Sequence, residues 1–366
     1  MTHVFVAPHP DDAALSCGGL IASLRELGQN VAILTVFSGS AGDGGDGLTG
    51  YQREALGFGS KALWPVTEAF NRAHIGSDEP VYAGEALPAW AATDDNLEAT
   101  QTDADAAAKR FWQRSSWYRR ASIRAESLAG QPVIDDLPTQ GAVLTGERIE
   151  GAVAGDVMAR RRLEDEQYAL FAEASIVWLD LPDAVFRGYQ GDAALLGEPR
   201  DDDPAPFEAL RREIDRLEPQ KVYVPLGVGN HVDHQLCREV GLQLLAQGRK
   251  WVMPGPEYAG IVTFYEDFPY AWWQDFAHIT DLPPEALADL PADIALTPDY
   301  ADIGDQLERK IQGISLYESQ LDRLFGGTQE MARQARAYAR RVALLGGETG
   351  WAERYWSTKP TERSFR

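Results

Sequence analysis

The first forty residues alternate between short apolar runs and apolar positions at helical spacing. Residues 4–6 form the first run, apolar positions spaced as in a helix continue to Leu24, and residues 31–37 form a second run. Continuous apolar runs are typical of the central strands of a parallel sheet, which are covered on both faces. The pattern predicts a strand at 3–7, a helix at 12–27 and a second strand at 31–37.

The same alternation returns after residue 155. The predicted strands lie at 176–181, 221–226 and 261–265, and the predicted helices at 156–174, 206–217, from the 231–234 turn to 245, 305–324 and 328–345. Strands that alternate with helices indicate an α/β fold with a doubly wound, mostly parallel sheet.

A long segment, 43–155, interrupts this alternation after strand 2. It is rich in Ala, Asp, Gln and Arg but keeps several aromatic residues. Because disordered linkers are poor in aromatic residues, we expect an ordered or partly ordered insertion, largely helical over 103–129. Its place near the carboxyl edge of the sheet would let it cover a site as a cap. The expected organisation is therefore one core, 1–42 and 156–366, with the insertion between its two parts.

Composition and charge limit the partners and the cellular location that we expect for this protein. The net charge is −22 and the pI about 4.6, and a strongly acidic chain repels nucleic acid and anionic lipid. No apolar run reaches the roughly 18 residues of a membrane span, and the amino terminus shows no leader, so we expect a cytoplasmic protein. Cys17 and Cys237 do not make a disulfide framework. We expect them to pack behind the site, the alternative being a thiolate ligand.

Two clusters of histidine and aspartate follow predicted strands. His9-Pro10-Asp11-Asp12 comes directly after the first strand, and His231-Val232-Asp233-His234 follows the strand at 221–226. In open α/β sheets, ligands bind at the carboxyl ends of the strands. Each cluster therefore lies in the kind of turn where a site is expected.

The residue types match a catalytic metal site, in which Zn²⁺ takes three protein ligands and leaves one position open. His9 and Asp12 are three residues apart across a turn, so both can bind one ion, while Asp11 is left to act as a base on metal-bound water. One histidine of the second cluster could complete the coordination. The other, with Asp233 nearby, could act as an acid or donate to a developing oxyanion.

Each cluster taken singly has a simpler interpretation. Asp12 could do no more than cap the helix that follows, and a His-x-x-His spacing is common by chance. Two such clusters, both at strand-to-helix turns of one α/β domain, favour a shared site.

The paired motifs resemble those of the PIG-L/LmbE-like zinc-dependent N-acetylglucosaminyl deacetylase family. Further stretches are similar to patterns of that family or of its larger bacterial members: 161–164, 177–183, 264–270 and 310–320. The resemblance covers about 1–42 and 156–356, so the insertion lies outside it. Ala13 stands where the family often has glutamate, and none of the expected catalytic roles needs that residue.

The resemblance implies a Rossmann-like fold. It also implies hydrolysis, by attack of metal-bound water, of an N-acetyl group on an amino sugar or its conjugate. Matching positions would place His9, Asp12 and His234 on zinc, although such ligands accept other divalent metals too. The partner would be a small amino-sugar conjugate rather than nucleic acid or a membrane, and the sequence is compatible with a homo-oligomer.

The remaining roles follow from the same matching positions. Asp11 would be the general base. His231 would stabilise the oxyanion or protonate the leaving amine, with Asp233 orienting it. Arg161 or Arg162 would bind polar groups of the substrate, unless the pair only forms a solvated helix face.

Two other functions stay open at this point. A metal-dependent amidase or acylase on a non-sugar conjugate needs the same water activation, and a non-catalytic sugar-binding relative would keep the fold. A dinucleotide enzyme is disfavoured, because the first turn lacks Gly-x-Gly-x-x-Gly. Trp272 and Trp273 could stack on a sugar, but we expect them to pack in the core, as tryptophan usually does.

Overall fold

One seven-stranded sheet lies at the centre of the residues that the structure describes. The structure is a computed structural model, and it describes residues 1–39, 52, 157–247, 260–274, 276–282 and 290–361. The strands are β1 (Thr2–Ala7), β2 (Asn30–Thr35), β3 (Ser175–Trp178), β4 (Lys221–Pro225), β5 (Val262–Tyr265), β6 (Ile294–Asp302) and β7 (Ala352–Pro360).

The order of the strands creates a crevice. The sheet reads β3-β2-β1-β4-β5-β7-β6, with the first five strands parallel and β7 antiparallel to both of its neighbours. This confirms the predicted α/β fold and mostly parallel sheet. The chain winds outward from β1 to β2 and β3 in one direction, and from β4 to β5 in the other. The adjacent strands β1 and β4 therefore mark the switch point, outside which ligands bind in such sheets.

Helices connect and cover these strands. The described α-helices are α1 (Asp12–Glu26), α2 (Val157–Phe171), α3 (Asp192–Leu195), α4 (Phe207–Leu217), α5 (Val232–Gln247), α6 (Tyr270–Trp273), α7 (Leu307–Ile314), α8 (Glu318–Phe325) and α9 (Thr328–Leu345). None of them is long and apolar enough to span a membrane. The predicted insertion at 43–155, its helix at 103–129 and its role as a cap lie, apart from Gln52, outside the described residues.

The predicted single helix at 305–324 is wrong, since α7 and α8 are separate helices. Glu164 of α2 accepts the backbone N–H of Ser319 at Oε1 (2.9 Å) and its hydroxyl at Oε2 (2.6 Å). This carboxylate caps the first turn of α8, whose N–H groups have no partner within the helix. Just before α8, Tyr317 is buried, and its hydroxyl donates to Asp165 Oδ1 at 2.8 Å.

Strands β6 and β7 were not predicted, because their residues do not form an apolar pattern. In β7, Glu353 and Arg354 are both 2% exposed. Lys310 Nζ donates to Glu353 Oε1 at 2.6 Å, and Arg354 Nε donates to Glu266 Oε1 at 2.5 Å. In β6, Pro298 weakens the strand signal, although proline is tolerated at a sheet edge. Paired charges thus take the place of apolar residues in this part of the sheet.

Glu353 also fixes α1, the helix that begins at Asp12. Its two carboxylate oxygens accept the backbone N–H groups of Gly19 (2.8 Å) and Leu20 (2.9 Å). The helix lies close to its neighbours because Gly19 has no side chain: a Cβ there would be 2.5 Å from Ile303 Cγ2. β7 therefore holds α1 about two turns after Asp12, at Gly19 and Leu20.

The remaining core predictions are confirmed. Trp272 and Trp273 are buried, and Trp273 Nε1 donates to Gln334 Oε1 at 3.1 Å. Cys17 and Cys237 are fully buried, and burial raises the pKa of both thiols well above its usual value. These four residues pack in the core.

Asp165 ties α2 to two strands and to the segment before α8. Its Oδ2 accepts from the Thr35 hydroxyl (2.8 Å) and Trp178 Nε1 (3.0 Å), and its Oδ1 accepts from the Tyr317 hydroxyl (2.8 Å). Burial raises the pKa of this carboxyl to about 6, although the three donors and Arg161 favour the ionised form.

We predict that Asp165 makes the folded chain less stable as the pH rises through about 6. The folded carboxyl holds its proton more tightly than the unfolded one, so stabilisation that is complete at low pH is lost on ionisation. Between pH 5 and 7.5, the wild type should lose about 1 kcal/mol of unfolding free energy relative to Asp165→Asn. Urea unfolding of both proteins measures this difference, and parallel pH dependences would contradict it.

Candidate active site

The two motifs singled out in the sequence meet at the switch point. β1 ends at Ala7 and leads through the first motif into α1, while β4 ends at Pro225 and leads through the second motif into α5. The two strands pair in parallel, with Phe5 beside Tyr223. Both turns therefore open at the same edge of the sheet, where their histidines and aspartates are buried.

Asp12 lies between one histidine of each motif. Its Oδ2 is 3.3 Å from His9 Nδ1 and 3.4 Å from His234 Nε2. In a tetrahedral zinc site, with metal–ligand bonds of about 2.0–2.1 Å, two ligand atoms lie about 3.3–3.4 Å apart. Burial alone would raise the pKa of Asp12, but His234 and His9 lower it to about 2. These three side chains have the chemistry and the spacing to hold a divalent metal.

Two other donor groups share His9. In each group the ligand atoms lie within 4.8 Å of one another: His9, His231 and His234, and His9, Asp183 and Asp233. The group of His9, Asp183 and Asp233 is a poor cation site, because an arginine already lies beside each of its two carboxylates. Arg187 Nη2 lies 2.6 Å from Asp233 Oδ1, and Arg161 Nη1 lies 3.5 Å from Asp183 Oδ2.

Two buried carboxylates orient the rings of His9 and His234. His9 Nε2 bonds Asp233 Oδ2 at 2.9 Å, and His234 Nδ1 bonds Asp267 Oδ1 at 2.6 Å. In both rings the nitrogen on the side of Asp12 is the other one, so each carboxylate fixes which nitrogen remains free for a metal. Asp267 was missed, although it lies in the 264–270 run; nothing in the sequence pairs it with His234.

The structure corrects the expected partner of Asp233. We expected its carboxylate to orient His231, but the carboxylate bonds His9 instead. Only the backbone N–H of Asp233 reaches His231, donating to Nδ1 at 3.3 Å. The reason is that Asp233 lies in the first turn of α5 with its carboxylate fully buried, where it also accepts the Ala184 N–H at 3.0 Å.

His231 is a neutral donor. Burial and the charge on His9 lower its pKa well below the usual value. A neutral imidazole that accepts a hydrogen bond at Nδ1 carries its proton on Nε2. The ring lines the cleft and packs edge-on against His9 with 4.8 Å between the centroids. His231 can therefore donate a hydrogen bond beside the three candidate ligands.

Asp11 has a strained backbone and a buried carboxyl. Its φ of 105° lies in a region that residues other than glycine rarely adopt. Burial raises the pKa of the carboxyl to about 8, against the effect of Arg161, and Asp12 adds to the rise. Strain of this kind persists only where the surroundings impose it, and it is common at functional sites.

Arg161 and Arg162 differ in their position relative to the cleft. Arg161 is 6% exposed and lines the cleft, where its Nη2 lies 3.7 Å from Asp11 Oδ2 and donates to the Pro10 carbonyl at 3.1 Å. These contacts hold it at the Asp11 turn, and its role in binding polar groups of the substrate stays a prediction. Arg162 does not line the cleft, because its guanidinium pairs with Asp180 at 2.7 Å on the surface. A substrate-binding role for Arg162 stays a prediction.

A cleft opens above the candidate ligands. Its empty volume, open mouth included, is about 720 Å³. Besides the motif residues and Arg161, its lining is Leu15, Asp183, Val185, Asp192, Leu195, Leu196, Pro269, Tyr270, Gln320, Arg323 and Leu324. No role could be predicted for these residues from the sequence, since they come from turns and helices far apart in the chain.

Comparisons with known proteins point to one family. The family described as PIG-L: GlcNAc-PI de-N-acetylase matches residues 4–64. A 2'-N-acetylparomamine deacetylase from Streptomyces fradiae is 30% identical over 240 residues, which cover 61% of this chain and 78% of that protein. The chain belongs to the PIG-L family. It is therefore a deacetylase, a hydrolase that acts on amide bonds.

Other deacetylases are also similar to this chain. A second 2'-N-acetylparomamine deacetylase, from Niallia circulans, is 31% identical over 139 residues, or 35% of this chain and 46% of that protein. The structure of the A40926 pseudoaglycone deacetylase is 20% identical, with a TM-score of 0.51 over 97% of this chain and 96% of that one. The zinc-inhibited form of a teicoplanin deacetylase is 19% identical, with a TM-score of 0.52 over 99% of both. The two structures share the fold.

In this PIG-L protein, Gly229 lets the second motif lie against Tyr270. Gly229 has a φ of 96°, and a Cβ there would be 2.5 Å from Tyr270 Cγ. The Tyr270 ring in turn packs edge-on against His234, with 5.5 Å between the centroids. The tyrosine supports the His234 ring from the cleft side.

We predict that Gly229→Ala lowers both stability and activity. The left-handed backbone alone should cost about 1–2 kcal/mol, and the displaced Tyr270 should add to it. Gly28→Ala is the matched control, since Gly28 has a φ of 70° and a Cβ there would have nothing within 4 Å. Urea unfolding and amide hydrolysis measure both variants. Equal losses would contradict a specific contact between Gly229 and Tyr270.

Proposed function

We propose that this protein uses zinc, held by His9, Asp12 and His234, to remove the N-acetyl group from an amino sugar or its conjugate. The observation that carries the proposal is the spacing of 3.3 and 3.4 Å between donors from two separate turns. Two imidazole nitrogens and one carboxylate oxygen suit zinc with one position left open. The relatives named as 2'-N-acetylparomamine deacetylases support an N-acetylated amino sugar as the substrate class.

Each side chain has a distinct part in the proposed reaction. Zinc, when bound, would act as a Lewis acid that polarises the amide carbonyl and acidifies water. Asp11 accepts the proton of the attacking water and then returns it to the leaving nitrogen, so that acetate and a free amine are released. Arg161, 3.7 Å from Asp11 Oδ2, holds this carboxylate in place and favours its ionised form.

His231 would stabilise the charge that develops on the carbonyl oxygen. Its proton is on Nε2, because Nδ1 accepts the Asp233 N–H. A donor fixed before the reaction begins stabilises an oxyanion without reorganisation during the step. The proposed substrate is a small molecule. The expected location of the protein is the cytoplasm.

A second candidate keeps the metal and changes the conjugate. Leu195, Leu196 and Leu324 line the same cleft as the charged residues. Apolar side chains of this kind would suit an N-acyl compound that has no sugar. An acylase or amidase on a non-sugar conjugate is therefore the alternative that a substrate panel must include.

We predict that Asp11→Asn keeps the metal and loses the chemistry. An asparagine cannot take the proton of water, so acetate release should fall about 10²–10⁴-fold, while zinc content stays equal to that of the wild type. Asp180→Asn, which changes a surface carboxylate paired with Arg162, is the control and should keep full activity. Full activity of the Asp11 variant would show that the assigned base is wrong.

We predict that a chelator abolishes activity and that zinc restores it. The panel is 2'-N-acetylparomamine, N-acetylglucosamine conjugates and an N-acyl amino acid, with acetate or free amine as the readout. Release from the sugars alone supports the proposed function, and release from the N-acyl amino acid alone supports the second candidate. Hydrolysis that survives complete metal removal would contradict both.

A further inference from the structure

Three groups form hydrogen bonds with the carboxylate of Asp233. Its Oδ2 bonds His9 Nε2 at 2.9 Å and accepts the Ala184 N–H at 3.0 Å, while its Oδ1 accepts Arg187 Nη2 at 2.6 Å. Two of these partners, Ala184 and Arg187, belong to one 3₁₀ helix, Ala184–Arg187. The turn after β3 thus holds the carboxylate that forms a hydrogen bond with His9.

Arg187 is itself held on three sides. Its Nε donates to Asp203 Oδ1 at 3.0 Å, its Nη1 donates to the Pro182 carbonyl at 2.7 Å, and its guanidinium carbon lies 4.8 Å from the centre of the Phe37 ring. The side chain is 9% exposed and does not line the cleft. It is therefore neither a surface ion pair nor a group that a substrate in the cleft would touch.

Asp203 is fixed in the same way. Its Oδ2 accepts the Tyr189 hydroxyl at 2.6 Å and the backbone N–H of Arg200 at 2.9 Å. A continuous series of hydrogen bonds consequently runs from Asp203 through Arg187 and Asp233 to His9.

His9 needs this series because a competing carboxylate lies close by. Asp183 Oδ2 is 3.7 Å from His9 Nε2, against 2.9 Å for Asp233 Oδ2. If Asp233 lost its guanidinium partner, the Ala184 N–H and His9 would hold its carboxylate through Oδ2 alone. The Oδ1 side could then shift, or the His9 ring could turn toward Asp183. Either change would move His9 Nδ1 away from Asp12 Oδ2, from which it lies 3.3 Å.

We propose that Arg187 is a positioning residue of this active site, which acts through Asp233 to aim His9 Nδ1 at the metal position. The proposal rests on the metal site of the proposed function. Removal of an outer-shell group that helps to orient a metal ligand commonly weakens metal binding 10–100-fold. Arg187 should accordingly set the affinity for metal and leave substrate binding at saturating metal unchanged.

The test is zinc affinity, measured on metal-free protein by competition with a chromophoric chelator. Arg187→Met should weaken zinc binding about 10–100-fold, and Asp203→Asn should weaken it less, since the guanidinium would keep Asp233. Arg187→Lys should recover part of the loss, because an ammonium can reach Asp233 but cannot also bind Asp203 and the Pro182 carbonyl. At saturating zinc, KM should equal that of the wild type.

A matched control removes another arginine ion pair. Arg336 of α9 makes a bidentate pair with Glu308, with both Nη2–oxygen distances at 2.8 Å, and Arg336→Met should leave zinc affinity unchanged. Circular dichroism checks that each variant is folded; Asp203→Asn keeps the proposal testable if Arg187→Met does not fold.

The outcomes separate the two proposals. Wild-type affinity in the folded Arg187 and Asp203 variants would overturn the positioning role and leave the proposed function standing. A KM that rises at saturating zinc while zinc affinity stays unchanged would overturn it in favour of a substrate contact. A wild-type protein that binds no metal would overturn the proposed function, and the positioning role with it.

Discussion

The arrangement of this site depends on one atom, Asp12 Oδ2. It lies within 3.4 Å of a ring nitrogen from each motif and also accepts the backbone N–H of His9 at 2.8 Å. It can do so because Asp12 is the first residue of α1, at the carboxyl edge of the adjacent strands β1 and β4. Glu353 of β7 holds the same helix through Gly19 and Leu20. The sheet topology thus places a single carboxylate at the centre of the proposed metal site.

Negative charge concentrates around this atom. Five carboxylates are buried here together with two guanidinium groups, namely Asp11, Asp12, Asp183, Asp233 and Asp267 with Arg161 and Arg187. Burying a charge is costly unless it is paired and hydrogen-bonded. Backbone N–H groups also stabilise these carboxylates. Those of Gly227 and Val228 donate to Asp267 Oδ2 at 2.8 and 2.9 Å. A divalent cation among the ligands would offset much of the remaining negative charge.

The sequence predicts the candidate ligands of the proposed metal site, but it does not predict the residues that surround them. His9, Asp12 and His234 can be found because each lies in a short motif directly after an apolar strand. The partner of Asp233 could not be predicted, since the direction of a side chain in the first turn of α5 depends on the turn after β3. For the same reason, nothing in the sequence points to a role for Arg187. In β7, the buried pairs of Glu353 and Arg354 conceal a strand that an apolar pattern would reveal.

X-ray absorption at the zinc edge tests the central claim most directly, because multiple scattering from imidazole rings counts the histidines on the metal. We predict one zinc with two imidazoles, from His9 and His234, and a carboxylate oxygen from Asp12. Three imidazoles would place His231 on the metal and remove it from its proposed role as a donor. A single imidazole among carboxylate oxygens would move the ion to His9, Asp183 and Asp233, and would contradict the account.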